Sequence, residues 1–73
     1  TNKYQEELNW LILQSKYQQM VNSLDEKKEE RARETEDEYY NFVTEYPDSK
    51  HSDSAKKILK EVQKILHKKT SQI

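Results

Sequence analysis

The sequence predicts an all-α fold of three helices, arranged as an antiparallel helix hairpin followed by a C-terminal capping helix. Three segments repeat their apolar residues at steps of three and four, the spacing that places side chains on one face of a helix. The only proline, Pro47, separates the second segment from the third, and a polar stretch over 22–28 separates the first two. We therefore expect a single domain, 1–73, with helices over about 3–23, 29–46 and 50–69.

The first predicted helix carries two apolar stripes. The stripe expected to face the second helix contains Trp10, Leu13, Tyr17, Met20, Val21 and Leu24. The stripe on the opposite side contains Tyr4, Leu8, Leu11 and Ile12. Because residues 10–13 are apolar nearly all round the helix, we expect it to be covered on two sides. The polar residues 22–28 predict a loop, and a helix that continues through them is the alternative.

The second predicted helix places most of its aromatic residues on one face. That face contains Ala32, Thr35, Tyr39, Phe42, Val43 and Tyr46. Tyr40 is out of phase with it and is therefore a candidate contact for a partner protein. Pro47 ends the helix, because proline has no N–H to continue the hydrogen-bond ladder and disfavours helical geometry at the residue before it.

The third predicted helix has one apolar stripe and one basic stripe. The apolar residues are Ala55, Ile58, Leu59, Val62, Ile65 and Leu66. The lysines recur as Lys56, Lys60, Lys64 and Lys68. Either Ser49 or Ser52 is expected to cap this helix by accepting a hydrogen bond from a free backbone N–H, with Asp53 favourably placed in the first turn.

Composition excludes several classes of function. Glycine is absent, and a P-loop, a dinucleotide-binding fingerprint and a nucleophile elbow each need it where backbone approaches a ligand or adopts positive φ. Cysteine is also absent, which excludes a disulfide framework, a thiolate nucleophile and a thiolate metal site. No apolar run approaches the roughly 18 residues that span a bilayer. A net charge of −1 argues against binding nucleic acid or a membrane through net charge.

The chain also has little material for a core. A domain of this size buries only about 60% of its unfolded surface. Charged residues make up 37% of the chain and apolar residues 32%, against about 25% charged in a typical globular domain. A fold of this composition is expected either to be marginally stable alone or to lean on something else.

The titratable residues form no recognisable catalytic or metal-binding pattern. His51 and His67 are separated by a whole helix and lack a ligand partner one helical turn away. The acidic cluster from Glu34 to Glu38 lies on a solvated helix beside no nucleophile. We therefore expect no enzyme, no metal and no cofactor. The lysine stripe leaves a basic-helix nucleic-acid binder as the least favoured alternative, because aromatic residues are not interleaved with it.

The spacing of several residues resembles the tetratricopeptide repeat, in which two antiparallel helices follow the pattern W-x2-L-G-x2-Y, A-x3-F, P. This chain has Trp10-x2-Leu13-Gln14-x2-Tyr17, then Thr35-x3-Tyr39, then Pro47. It departs from the pattern at Gln14, where glycine is usual, at Thr35, where alanine is usual, and in a longer stretch between Tyr17 and Thr35. The resemblance implies an α-solenoid fragment whose third helix begins a following unit or caps the array. The repeat-packing residues it implies are Trp10, Leu13, Tyr17, Thr35, Tyr39, Phe42 and Pro47.

A narrower resemblance lies in the end of the second helix, Tyr39-Tyr40-x-Phe42-Val43-x-Glu45-Tyr46-Pro47-Asp48-Ser49-Lys50. With the upstream Asn22-Ser23-Leu24 and the charged run 26–31, it is similar to the C-terminal part of the BamD-type outer-membrane assembly lipoproteins of Gram-negative bacteria. The resemblance implies a periplasmic location at the inner face of the outer membrane, through an N-terminal lipid anchor outside this chain. It also implies docking to a BamA-like barrel protein with POTRA domains and to accessory lipoproteins. A periplasmic tetratricopeptide adaptor of the Tol-Pal type shares the Tyr-Pro-x-Ser ending and is the alternative.

These observations together predict a non-catalytic scaffold for protein–protein interaction, with no direct membrane span and no nucleic-acid partner. The chain begins at Thr1 without methionine or signal peptide, so we expect it to be a processed or excised piece of something longer. The resemblance implies that this piece is the C-terminal part of a longer repeat protein. Without a neighbouring repeat, the isolated chain is expected to form a homo-oligomer. The candidate partner contacts are Tyr4, Leu8, Leu11, Ile12 and Tyr40.

Overall fold

The computed structural model describes residues 3–68 and consists of three α-helices in that range. Helix α1 spans Lys3–Val21, α2 spans Asp25–Glu45 and α3 spans Ser52–Lys68. The all-α, three-helix prediction is confirmed. Helix α2 packs against both of the others and is the central element of the fold. Residue 69, the predicted end of the third helix, lies outside the described residues.

Helices α1 and α2 run antiparallel. Near the start of α1, the Asn9 side-chain amide donates to the Tyr46 hydroxyl oxygen at 3.3 Å, just beyond the end of α2. Further along α1, the Lys16 carbonyl accepts from the Thr35 hydroxyl at 3.2 Å. A later position on one helix therefore meets an earlier position on the other, which defines the predicted hairpin.

The loop between α1 and α2 is shorter than predicted, because α2 begins at Asp25 and not at about Glu29. The chain turns at Asn22 and Ser23, and Leu24, the residue before α2, has an extended backbone with φ −64° and ψ 153°. Asp25 and Glu26 occupy the first helical turn. Acidic side chains interact favourably with the positive end of the helix dipole there, and nothing in the charged run that follows stops a helix.

The core forms along one face of α2 and the facing stripes of α1 and α3. Among the described residues, Thr35 is the one polar residue buried within it. Partly buried side chains pack around the core, namely Tyr17, Val43, Leu59, Ile65 and Leu66. The buried apolar residues are Trp10, Leu13, Met20, Ala32, Tyr39, Phe42, Tyr46, Ala55, Ile58 and Val62.

Two residues assigned to the inner stripe of α1 are exposed instead. Val21 is 45% exposed and Leu24 is 70% exposed. The helix ends at Val21, so the spacing of three and four no longer describes a helix face beyond it. Leu24 follows that spacing in the sequence but lies in the turn before α2.

Thr35 occupies the position where the tetratricopeptide pattern usually has alanine. Its side chain is fully buried. The hydroxyl lies 2.8 Å from the Arg31 carbonyl one turn earlier in α2 and 3.2 Å from the Lys16 carbonyl of α1. An unsatisfied buried hydroxyl costs about 1–3 kcal/mol, so these acceptors allow threonine in the core and link the two helices.

The connection between α2 and α3 begins at Tyr46, directly before Pro47, and its hydrogen bonds revise the predicted capping. Ser49 Oγ accepts from the His51 N–H at 3.1 Å. Ser52 is already helical, and its hydroxyl donates to the Ser49 carbonyl at 2.8 Å, so Ser52 does not cap the helix. Asp53 lies in the first turn of α3, as predicted.

We expect Tyr39→Ala to destabilise the fold far more than Tyr40→Ala. Tyr39 is 7% exposed and Tyr40 is 49% exposed. Removing a buried aromatic ring costs about 3–5 kcal/mol, whereas Tyr40 contributes mainly its edge-on contact with Tyr39, a contact worth about 1 kcal/mol. Urea unfolding midpoints followed by circular dichroism measure the difference. Equal losses would contradict the helix phase described here.

Candidate protein-interaction surface

Four large apolar side chains lie exposed together on α1. Tyr4 is 72% exposed, Leu8 43%, Leu11 58% and Ile12 38%. Their spacing places them on adjacent turns of one side of the helix, which we call the α1 outer face. Single exposed apolar residues are common on protein surfaces. Several of them side by side are the usual mark of a surface that contacts another molecule.

The sequence creates this face because α1 has two apolar stripes and only one of them meets α2. Trp10, Leu13 and Met20 are buried on the inner side. The outer face points away from α2, on the other side of the helix. The second covering that the stripe predicts is therefore absent within the described residues 3–68.

Tyr40 is also exposed but belongs to a different surface. It lies on α2, where its ring packs edge-on against Tyr39 with centroids 5.1 Å apart. The α1 outer face points away from α2, so the structure does not bring Tyr40 into that face. Four of the five candidate partner contacts thus share one surface, and the fifth lies elsewhere.

Glu7 and His51 hold the start of α1 against the α2–α3 connection. His51 Nε2 lies 2.8 Å from Glu7 Oε2. The imidazole also stacks on the Trp10 indole, with centroids 4.7 Å apart and the planes inclined by 8°. Lys50 Nζ approaches the same Glu7 oxygen at 3.9 Å. We call this group of Glu7, Trp10, Lys50 and His51 the clamp.

A second hydrogen bond, made by residues close to the clamp, also joins α1 to the α2–α3 connection. The Ser49 hydroxyl donates to Glu6 Oε2 at 2.6 Å. Together with the hydrogen bond from Asn9 to Tyr46, it anchors the half of α1 that carries Tyr4 and Leu8. The first half of α1 is therefore held against the rest of the fold, and this fixes the position of the outer face.

Sequence reasoning missed the contact between Glu7 and His51. Glu7 and His51 are 44 positions apart, and local periodicity carries no information about such a pair. The available signal was weaker: two acids near the start of α1, and a serine, a lysine and a histidine after Pro47. Because α1 and α2 run antiparallel, the start of α1 and the connection that follows α2 lie at the same end of the fold.

The other titratable residues singled out in the sequence are dispersed. His51 takes part in the clamp, whereas exposed His67 lies in the last turn of α3. Within the acidic cluster, Glu34 pairs with Arg31 of the same helix at 3.3 Å. Across the described part of the chain, no three His, Cys, Asp or Glu side chains are grouped so that they could hold a metal ion. None of the described helices is long and apolar enough to cross a bilayer.

Comparison with protein-family models, with curated proteins and with solved structures finds no match to this chain.

We predict that protonating Glu7 weakens the fold. The His51 hydrogen bond, aided by the charges of His51, Lys50 and Lys3, lowers the pKa of Glu7 against a smaller opposing effect of burial. A carboxyl group whose pKa is lower in the folded state stabilises above its unfolded pKa of about 4.3. That stabilisation is lost as the pH falls through the folded pKa.

Urea unfolding between about pH 2.5 and pH 7 tests this sign. Glu7→Gln should lower stability at neutral pH and make the acid dependence shallower than in the unmodified protein. Glu45→Gln makes the same charge change at an exposed position at the end of α2 and serves as the matched control. Parallel pH profiles for Glu7→Gln and the unmodified chain would contradict the prediction.

Proposed function

We propose that this protein is a non-catalytic helical scaffold that binds other proteins through the α1 outer face. The observation that supports the proposal is the joint exposure of Tyr4, Leu8, Leu11 and Ile12 on one side of a helix. Covering such a surface is favourable by roughly 25 cal/mol for each Å² of apolar area removed from water. The clamp lowers the entropic cost of binding, because it fixes the helix before a partner arrives.

The titratable groups near this surface make hydrogen bonds that hold parts of the fold together. This supports a binding role over a catalytic one. Glu7 and His51 hold each other across the clamp. Glu6 accepts from Ser49, whose hydroxyl also accepts from a backbone N–H. A serine, a histidine and two carboxylates therefore lie close together, and their hydrogen bonds join α1 to the α2–α3 connection.

When no other partner is present, we propose that a second copy of the chain covers the outer face. The exposed residues bordering that face include the uncharged Gln5, Ser15 and Gln19, whereas charged Lys3 and Glu7 lie beside Tyr4. Two copies can therefore approach without like-charge repulsion along the uncharged part of this border. A two-fold dimer, in which each stripe covers the other, is the simplest closed arrangement.

Sedimentation equilibrium at micromolar concentration tests the use of this surface. Leu8→Glu combined with Ile12→Glu should shift the chain to monomer, because charged side chains would have to be buried in the contact. Val21→Glu combined with Leu24→Glu is the matched control, since it also replaces two exposed aliphatic residues but lies beyond the stripe. A monomeric unmodified chain, or equal association of both double variants, would refute self-association through this face.

Among scaffolds, we propose one that acts in outer-membrane protein assembly. The support for this narrower assignment is the resemblance of residues 39–50 and their upstream segments to the BamD-type lipoproteins. On that basis the protein is a periplasmic component at the inner face of the outer membrane. Its partners are then a BamA-like barrel protein with POTRA domains and accessory lipoproteins.

Affinity capture from a solubilised Gram-negative envelope separates this assignment from a Tol-Pal type adaptor. Recovery of a POTRA-bearing barrel protein on the unmodified chain supports the assembly role. The Leu8→Glu, Ile12→Glu variant should lose that protein, whereas the Val21→Glu, Leu24→Glu control should retain it. Recovery of Tol-Pal components in its place would overturn the assignment but leave the scaffold role intact.

A further inference from the structure

A groove runs between α1 and α3, and its α1 wall adjoins the α1 outer face at Leu11, one helical turn before Gln14. It consists of two consecutive cavities of about 360 and 240 Å³, and both are lined by Tyr17 and Ile58. It exists because α1 and α3 each pack against α2 more extensively than against each other. The combined volume of the two cavities is in the range that holds a few side chains of a bound segment.

The floor and the walls of this groove differ in chemistry. Ile58 and the partly buried Tyr17 form an apolar floor. The α1 wall contributes the side-chain amides of Gln14 and Gln18. Gln14 is exposed at the position where the tetratricopeptide pattern has glycine, so it adds a hydrogen-bonding group to the groove without entering the helix contact.

The α3 wall is basic. Lys57, Lys60 and Lys64 line the larger cavity together with a single acid, Glu61. Glu61 Oε2 lies 3.2 Å from Lys64 Nζ and neutralises part of the positive charge of that lysine. Three exposed lysines beside one glutamate leave an excess of positive charge along one wall, although the whole chain carries a net charge of −1.

We propose that the α1–α3 groove binds a short acidic peptide segment that carries one apolar side chain. The apolar side chain lies on Tyr17 and Ile58, and carboxylates on either side of it accept from the lysines of α3. The glutamine amides hydrogen-bond the backbone of the segment. The groove uses residues other than the four of the α1 outer face, and neither proposal requires the other.

The same observations favour an acidic peptide over a nucleic acid. Tyr17 is partly buried and serves as a floor, whereas single-stranded nucleic acid needs accessible aromatic faces on which bases stack.

Fluorescence anisotropy with a labelled decapeptide tests the proposal. This probe has one leucine between two runs of aspartate and glutamate. The protein carries Leu8→Glu and Ile12→Glu so that self-association does not interfere. Lys57→Glu should weaken binding about tenfold, because it removes one attraction and adds one repulsion. Lys56→Glu makes the same change at the adjacent exposed residue outside the groove and should have less than about a twofold effect.

Two further variants probe the acid and the floor. Glu61→Gln should strengthen binding severalfold, because it removes the carboxylate that competes for Lys64. Replacing the leucine of the probe with serine should weaken binding at least about fivefold, since an apolar contact is lost. Circular dichroism verifies that each protein variant is folded.

Three results would overturn the proposal. The first is an equal loss of affinity with Lys57→Glu and Lys56→Glu. The second is an unchanged affinity when the leucine of the probe is replaced. The third is no binding at about 1 mM peptide, which means a binding free energy weaker than about −4 kcal/mol. Tighter binding of a twenty-nucleotide oligothymidylate, lost with Lys57→Glu, would assign the groove to nucleic acid instead.

Discussion

Burial of the aromatic face of α2 is the interaction on which the rest of the structure depends. The Phe42 ring packs 5.8 Å from Trp10 of α1 and 5.4 Å from Tyr46 at the end of its own helix. Because α2 offers apolar contacts to both neighbours, α1 and α3 are held side by side without packing closely on each other. The groove between them and the exposed side of α1 both follow from this arrangement.

Periodicity predicted the fold well where a helix has one apolar stripe. The inward residues of α2 and α3 follow from a repeat of three and four, because each helix has one direction in which apolar side chains can be buried. In α1 the same repeat shows two stripes, and the second stripe indicated the exposed face. Periodicity failed at Leu24, since a numerical spacing continues through a turn although the helix does not.

Other features could not be obtained from local patterns. Asp25 begins α2 through a favourable charge at the helix dipole, a weaker signal than the proline that ends the helix. The contact between Glu7 and His51 depends on the packing of all three helices, as does the meeting of Tyr17 with the lysines of α3. Thr35 was predicted as an inward residue, but the Lys16 carbonyl that accepts from it becomes apparent only once the helices are placed.

The stacking of His51 on Trp10 gives this protein an internal optical reporter. Trp10 is the only tryptophan of the chain and is 7% exposed. Its indole touches Phe42 on the core side and the imidazole on the clamp side. The emission of this one chromophore therefore responds to two events: loss of the stacked imidazole alters quenching of the indole, and unfolding of the core shifts the emission to longer wavelength as water reaches the ring.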